Sequence, residues 1–279
     1  MNKYIDLHIH TVFSDGIYTP EQVVIEAKKR NLKAISITDH DNTLALNDAI
    51  RYGEKYKIEI IPGIELSVEF NKNPEHEMHI VGYFIDYTNE ELQKKLEKLR
   101  QYRKKRAFKI FEKLSKIGIR LNEKEIFSNH EKNSIGRLHF AKQLLKENYV
   151  KNIKEAFNKY LGYNKCAYVP KMRITAEEAI MLIQKTGGIS VIAHPYYGNY
   201  VKYNILSKLI KFGLKGIEVW HPGHSEFVKQ KYYFLAKKLG LLITGGSDYH
   251  GFIDENKSFI GIPRVPYHIL ENLKKMKNG

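Results

Sequence analysis

Short runs rich in branched aliphatic residues alternate with amphipathic stretches through the first ninety residues, and this alternation predicts an α/β architecture with parallel strands. YIDLHIH reads as a first strand, KAISIT as a second, and IEIIPGIELSVEF and HIVGYFI as two more, each dense in residues that fit a pleated, buried surface. Between the first two, Thr19, Pro20 and Gln22 supply an N-cap, a proline at the first helical position and a capping-box partner. They open a helix predicted to run to about Arg30.

The pattern changes from about Asn89 to Lys171. Leu92, Leu96, Leu99, Phe111, Leu114 and Ile117 recur at helical spacing among many charged residues, which predicts a helical insertion over 89–171 within a main fold made of 1–88 and 172–279. Gly118 stops its first long helix, and GRLHFAKQLLKENYV and IKEAFNKYL read as further helices. CAYVPK then returns to the main fold. Thr175 to Glu178 forms another capping box, followed by the helix AEEAIMLIQKTGG, the strands ISVIAHP and GIEVW, a helix through KQKYYFLAKKLG, and the strand LLITGGSD.

A chain of 279 residues can bury a substantial core, and its 43% apolar fraction is ordinary for a globular protein. No apolar run has the length needed to span a bilayer, and MNKYIDLHIH does not open like a secretory leader, so a cytoplasmic protein is expected. Cys166 is the only cysteine, which removes disulfides, zinc fingers and CxxC redox motifs from consideration. Any metal site must use histidines and carboxylates. The net charge of +15 favours anionic partners, although a lysine-rich solvated face explains it equally well.

Candidate ligands fall where the predicted strands end, the position at which barrel-like α/β folds carry their active sites. His8 and His10 are two apart on one strand and project to the same side; Asp15 follows in the loop. ITDHD places His40, PGIELS places Glu65, EMHIVGY places His79, IAHP places His194, and GGSDYHG places Asp248 and His250. Six histidines and three carboxylates at strand ends are poor core filling, since burying that many polar groups without partners costs several kcal/mol. Imidazole and carboxylate suit Zn²⁺, Mn²⁺ or Fe²⁺, and the absence of thiolates argues for catalysis over a structural zinc site. Closely spaced cations would neutralise a phosphoryl group, lower the pKa of a bridging water and stabilise the leaving oxygen. Hydroxide would then attack phosphorus in line, and no Ser or Cys nucleophile is required.

The ordered set HxH, TDH, an internal Glu, later histidines and a closing SDxH resembles the polymerase and histidinol phosphatase (PHP) superfamily over nearly the whole chain. The resemblance implies a distorted seven-stranded (β/α) barrel, TIM-like, with up to three divalent ions (Mn, Zn or Fe) at its open end. By that resemblance His8, His10, Glu65 and Asp248 hold one ion, Glu65 with His79 and His194 a second, and Asp15, His40 and His250 a third. Glu65, His194 and Asp248 are the ligands expected to bear most directly on catalysis. Some relatives carry histidine where this chain has Asp15, which leaves the third site's metal open.

Other candidates are less distinctive. Asp6 and Asp39 could orient ligand histidines or simply cap strand ends. His76 could replace His79 as ligand, face substrate or be solvated, and His221 and His224 in EVWHPGHS could touch substrate or belong to an ordinary polar loop. In the insertion, Arg137 and His139 near a helix start would favour a second phosphate. Their GRLH segment resembles the GRxH of the branch acting on nucleoside 3′,5′-bisphosphates and short 5′-phosphorylated oligonucleotides, which implies that the insertion caps the barrel mouth with Arg137 as an anion clamp. RQYRKKRAFK reads first as a solvated basic face and second as a nucleic-acid track. Tyr196, Tyr197 and Tyr200 could stack on a base. The expected activity is a metal-dependent phosphoesterase on a phosphorylated nucleotide or short RNA, with no obligate protein partner. The alternatives are a histidinol-phosphate type phosphatase and a noncatalytic, metal-stabilised nucleic-acid-binding module.

Overall fold

The computed structural model describes residues 3–69, 77–127, 134–195, 203–251 and 259–279. In chain order the elements are β1 Tyr4–Ile9, α1 Pro20–Lys29, β2 Leu32–Ile37, α2 Leu46–Tyr56, β3 Glu59–Glu69, β4 Glu77–Tyr83, α3 Glu90–Lys116, α4 Glu123–Phe127, α5 Arg137–Lys146 and α6 Ile153–Ala156. A π-helical turn, Phe157–Leu161, continues α6. Then come β5 Ile174–Thr175, α7 Ala176–Lys185, β6 Ile189–Ile192, α8 Tyr203–Lys211, β7 Gly216–Trp220, α9 Glu226–Leu239, β8 Leu242–Gly245, β9 Val265–Pro266 and α10 His268–Asn278.

The sheet runs β8-β7-β6-β4-β3-β2-β1-β9, with β5 on the side of β3; β5 and β9 are two-residue strands, which leaves seven longer ones. The stretch after β8 comes back beside β1, where the His10 amide donates to Tyr249 O at 3.0 Å, so the sheet is a nearly closed barrel. All neighbouring long strands are parallel except at β4, which is antiparallel to both β3 and β6. This departs from the expectation of uniformly parallel strands. Only residues 70–76 join β3 to β4, too few for the crossover that a parallel pair needs.

Both faces of the strands are covered, so they alternate not between apolar and exposed but between two kinds of buried side chain. In β1, Ile5, Leu7 and Ile9 face the helices while Asp6 and His8 face the barrel interior, and all five are buried. The helices dock by apolar stripes such as Val23, Val24 and Ala27 of α1 and Ala179, Ile180 and Ile183 of α7. Each such branched aliphatic side chain contributes about 1.5–3 kcal/mol when fully buried. The capping box at Thr19 is complete: Thr19 Oγ1 accepts from Gln22 N and Gln22 Oε1 from Thr19 N. At Thr175 only half forms, because the Glu178 carboxylate pairs with Lys95 of α3 instead of returning to the cap.

Long helix α3 stops where Gly118 was expected to stop it, at a backbone φ of +83° that L side chains avoid. A second apolar core, running from Ala107 to Val169, is built inside the helical segment. The first turns of α3 belong elsewhere: Leu92, Leu96 and Leu99 lie in the barrel's core. The basic run on α3 divides between two faces: Lys105 and Lys109 are exposed, but the arginines are not. Arg103 and Arg106 are buried, and Arg100 is nine-tenths covered; their i, i+3, i+6 spacing turns all three to the same side of the helix.

Candidate metal centre

Glu65, fully buried on β3, is the centre of the cluster. Its Oε2 lies 3.4 Å from His8 Nε2, 3.2 Å from His10 Nε2 and 3.0 Å from His40 Nδ1. Its Oε1 lies 3.0 Å from both His79 Nδ1 and His194 Nε2, which are 3.2 Å from each other. One carboxylate thus receives imidazoles from the ends of β1, β2 and β6 and from the middle of β4. Asp248 adds an oxygen 3.4 Å from His8 and 3.1 Å from His10. Asp15 lies 3.3 Å from His250 Nε2 and 3.8 Å from both His40 Nε2 and His10 Nδ1.

All nine expected ligands therefore meet at one end of the barrel. Three groups of donor atoms are mutually close: His8, His10, Glu65 and Asp248; His40, Glu65 and His79; and His10, Asp15, His40 and His250. The first has the membership expected. In the second His40 stands where His194 was expected, and in the third His10 joins the expected residues; each presents a second ring nitrogen, so that adjacent groups share imidazoles.

These atoms suit cations. His8 Nε2, His10 Nε2, His40 Nδ1, Asp15 Oδ1 and Glu65 Oε2 are buried, point inward and make no hydrogen bond of good geometry. Buried polar atoms normally have partners, and leaving several without one at a single place is costly. The protonation balance points the same way. Burial raises Glu65, but His79, His40 and His8 outweigh it and hold the carboxyl well below its usual range. Asp15 and Asp248 are likewise opposed by burial yet held low, Asp15 by His250 and His40, Asp248 by His8 and His250. Burial lowers His10, but bonds and charge from Asp248 and Glu65 raise it to about 10, whereas burial prevails at His40 and takes it to about 4. A site that recruits protons to neutralise buried carboxylates is one where divalent ions can replace them.

Residues outside the ligand set fix its geometry. Asp6 touches no ligand ring; it accepts from the amides of His8 (3.2 Å), Ser247 (2.9 Å) and Gly261 (2.6 Å), tying β1 to the stretch after β8. Asp39 accepts from Thr11 N and Oγ1 and from Ser14 Oγ, and Ser14 Oγ lies 3.3 Å from His10 Nδ1. Its hydrogen-bonded link to His10 runs through that serine. The group that accepts from a ligand ring is Glu218, which the sequence reading missed: it receives His8 Nδ1 at 3.0 Å and the His194 amide at 2.7 Å. A carboxylate inside the apolar strand GIEVW was the available signal. His194 and Asp248 take φ of +25° and +49°, values unusual for residues with a Cβ and characteristic of functional sites.

The expected substrate contacts divide. His221 Nε2 lies 3.3 Å from Asp248 Oδ2, at the cluster's edge. His224 instead turns back between β7 and α9, where its ring nitrogen meets Val219 O at 2.9 Å and its ring packs on Tyr232. His139 Nδ1 accepts the Gly136 amide and so caps α5, with burial pushing its pKa down to about 4. Arg137 donates to Leu161 O at 3.4 Å and stacks over Phe157 and Tyr168, all within the helical segment. Lys142, one turn further along α5, reaches the cluster loop, donating to Asp15 O at 2.8 Å. His76, Tyr196, Tyr197 and Tyr200 lie outside the described residues.

The sequence profile of the PHP domain matches residues 6–169. A 5'-3' exoribonuclease of Haemophilus influenzae is 30% identical over 92% of this chain and 95% of its own length. A 3',5'-nucleoside bisphosphate phosphatase of Chromobacterium violaceum is 34% identical over 88% of this chain and 87% of its own. The solved structure of a Bifidobacterium adolescentis protein superposes with a TM-score of 0.88 at 27% identity, covering 97% of this chain and 95% of that one.

Proposed function

The chain belongs to the PHP-domain family, and from that premise we propose that it hydrolyses phosphate esters of nucleotides, as a 3',5'-nucleoside bisphosphate phosphatase, a 5'-3' exoribonuclease on short 5'-phosphorylated RNA, or both. The observation that carries the reading is the convergence of five imidazoles on the buried carboxylate of Glu65, beside Asp248 and Asp15. Relatives named for those activities cover the chain almost end to end, which favours an enzyme over a noncatalytic binding module. They also favour a nucleotide over histidinol phosphate.

We assign His8, His10, Glu65 and Asp248 to one divalent ion, Glu65, His79 and His194 to a second, and Asp15, His40 and His250 to a third, with Mn²⁺, Zn²⁺ and Fe²⁺ all compatible with the donors. Bound there, the ions supply Lewis acidity toward a phosphoryl group and acidify a water. The chain's own part is positional. Glu218 holds the His8 ring and the His194 backbone, and Ser14 with Asp39 holds His10. His221 braces the second oxygen of Asp248. Lys142 and the α5 N-terminus bring positive charge to the Asp15 loop, where an anionic substrate would approach between barrel and helical segment.

No helix among the described residues is long and apolar enough to cross a membrane. The deciding experiment compares steady-state rates on adenosine 3',5'-bisphosphate, 5'-phosphorylated oligoribonucleotides and histidinol phosphate, each with and without chelator. Chelator-sensitive turnover of the first two is expected. Turnover of histidinol phosphate alone would overturn the substrate, and chelator-resistant turnover would overturn the metal centre.

A further inference from the structure

The chain passes between barrel and helical segment twice, outward along α3 and inward at Lys171, and both crossings deliver a cation to the same place. Arg103 of α3 gives Nε and Nη2 to a single oxygen of Asp41, at 2.9 and 2.5 Å, and its Nη2 also reaches Ser67 Oγ at 3.3 Å. Lys171 gives Nζ to the same Ser67 Oγ at 2.5 Å. The other oxygen of Asp41 accepts the Ser67 amide at 3.0 Å, and the Asp41 amide donates to Glu65 O at 2.9 Å. Arg103 and Asp41 are 6% and 3% exposed at their side chains, so this pair is shielded from solvent.

Asp41 follows His40 directly, and Ser67 stands two residues beyond Glu65 on the same face of β3. Asp41 also has a φ of +50°, a conformation that a residue with a Cβ keeps only where its surroundings dictate it. The guanidinium, buried with its carboxylate, reaches Asp41 from outside the barrel, with Lys171 beside it on the shared Ser67 hydroxyl. We propose that Arg103 is a positioning residue for the metal centre: by clamping Asp41 it sets the orientation of His40 and the register of Glu65, so that a working centre depends on the docked helical segment. The proposal rests on the reading of the cluster as a metal centre.

The test uses the full-length protein and three variants, Arg103→Met, Arg103→Lys and Arg106→Met. Arg106 is a buried arginine of the same helix that donates to Val169 O, inside the helical segment, and serves as the control for loss of a buried guanidinium. Measured are Mn²⁺ bound per chain after dialysis, kcat and KM on adenosine 3',5'-bisphosphate, and the thermal midpoint. Loss of a group that orients ligands typically costs about 10–100-fold in metal affinity or turnover, and Arg103→Met is expected to fall in that range in kcat and Mn²⁺ affinity with little change in KM. Arg103→Lys should recover part of both, and Arg106→Met should keep kcat and Mn²⁺ content. An increase in KM alone would make Arg103 a substrate contact and overturn the proposal. So would unchanged Mn²⁺ content and kcat, or equal losses in Arg103→Met and Arg106→Met. Should Arg103→Met fail to fold, Asp41→Asn with Arg103→Lys carries the same comparison. Should the wild type turn over no nucleotide, the functional reading fails separately, and Mn²⁺ content still decides this one.

Discussion

Glu218 accepts the Nδ1–H of His8 at 3.0 Å, and both side chains are buried. Its second oxygen takes the His194 amide at 2.7 Å, so one carboxylate of β7 fixes a ring on β1 and a strained backbone after β6. With Nδ1 committed as donor, the Nε2 lone pair of His8 is directed at the cluster. Burial raises the Glu218 pKa, yet His8 outweighs it and keeps the carboxylate charged. Glu218→Gln keeps the volume and removes the charge. It is expected to lower Mn²⁺ affinity about 10–100-fold by isothermal titration, and wild-type affinity in that variant would show that His8 needs no such partner.

Metal removal should reveal the same balance from the other side. Without cations, the carboxylates of Glu65 and Asp248 lean on His10, which they hold at about 10 against the effect of burial. A cation that occupies His10 must expel that proton, so binding releases protons and affinity rises with pH. Exhaustive chelation is expected to abolish turnover and lower the thermal midpoint, with recovery on adding Mn²⁺. Titrations at about pH 6 and pH 8 should show tighter binding at the higher value; equal affinities would mean that the ring is neutral before the ion arrives.

Most of the candidate ligands were legible because they stand at strand ends readable from runs such as YIDLHIH and KAISIT, whereas Glu65 and His79 stand inside β3 and β4. What holds the ligands was not legible. Glu218 occupies an ordinary alternating position in GIEVW, and only closure of the barrel brings it to His8. Arg103 lies in a lysine- and arginine-rich run that resembles a solvated face, and its burial follows from the docking of α3, a long-range event that helical periodicity does not encode. Helix α2 escaped notice for a local reason: its N-cap is Ala45, which offers no side-chain acceptor, so no start signal marks it. His139 was expected at a phosphate because it stands near a helix start; the same position lets it cap that helix itself.

Arg137 provides a separable test of the helical segment. Its guanidinium lies 5.4 Å from the Phe157 ring and 5.9 Å from the Tyr168 ring and donates to Leu161 O, a combination that a planar, forked cation makes better than an ammonium. Arg137→Lys is therefore expected to lose about 0.5–2 kcal/mol of stability while leaving KM for adenosine 3',5'-bisphosphate near its wild-type value. Chemical denaturation and steady-state kinetics on one preparation measure both. A large rise in KM without loss of stability would support the anion clamp that the GRLH segment implies.

Gly246 tests the closure of the barrel that brings Asp248 to His8. A Cβ at this position would stand 2.3 Å from His8 N, 2.4 Å from His8 Cβ and 2.8 Å from Asp6 Oδ1, distances that real Cβ atoms do not tolerate. The first two atoms belong to β1 and cannot swing aside as the end of a flexible side chain would. The stretch after β8 would have to move away, and with it the Ser247 amide that donates to Asp6 and the Asp248 oxygen facing His8 and His10. Overpacking of this kind costs about 1–3 kcal/mol, and the displacement acts directly on a ligand shared by two histidines. Gly246→Ala is expected to lose most of its turnover and its Mn²⁺ affinity while retaining the helical content of the wild type by circular dichroism, since the helices pack on the opposite face of β1. Normal turnover in that variant would mean that β1 and the Asp248 loop stand further apart in the working enzyme, and the three-ion assignment would lose its first site.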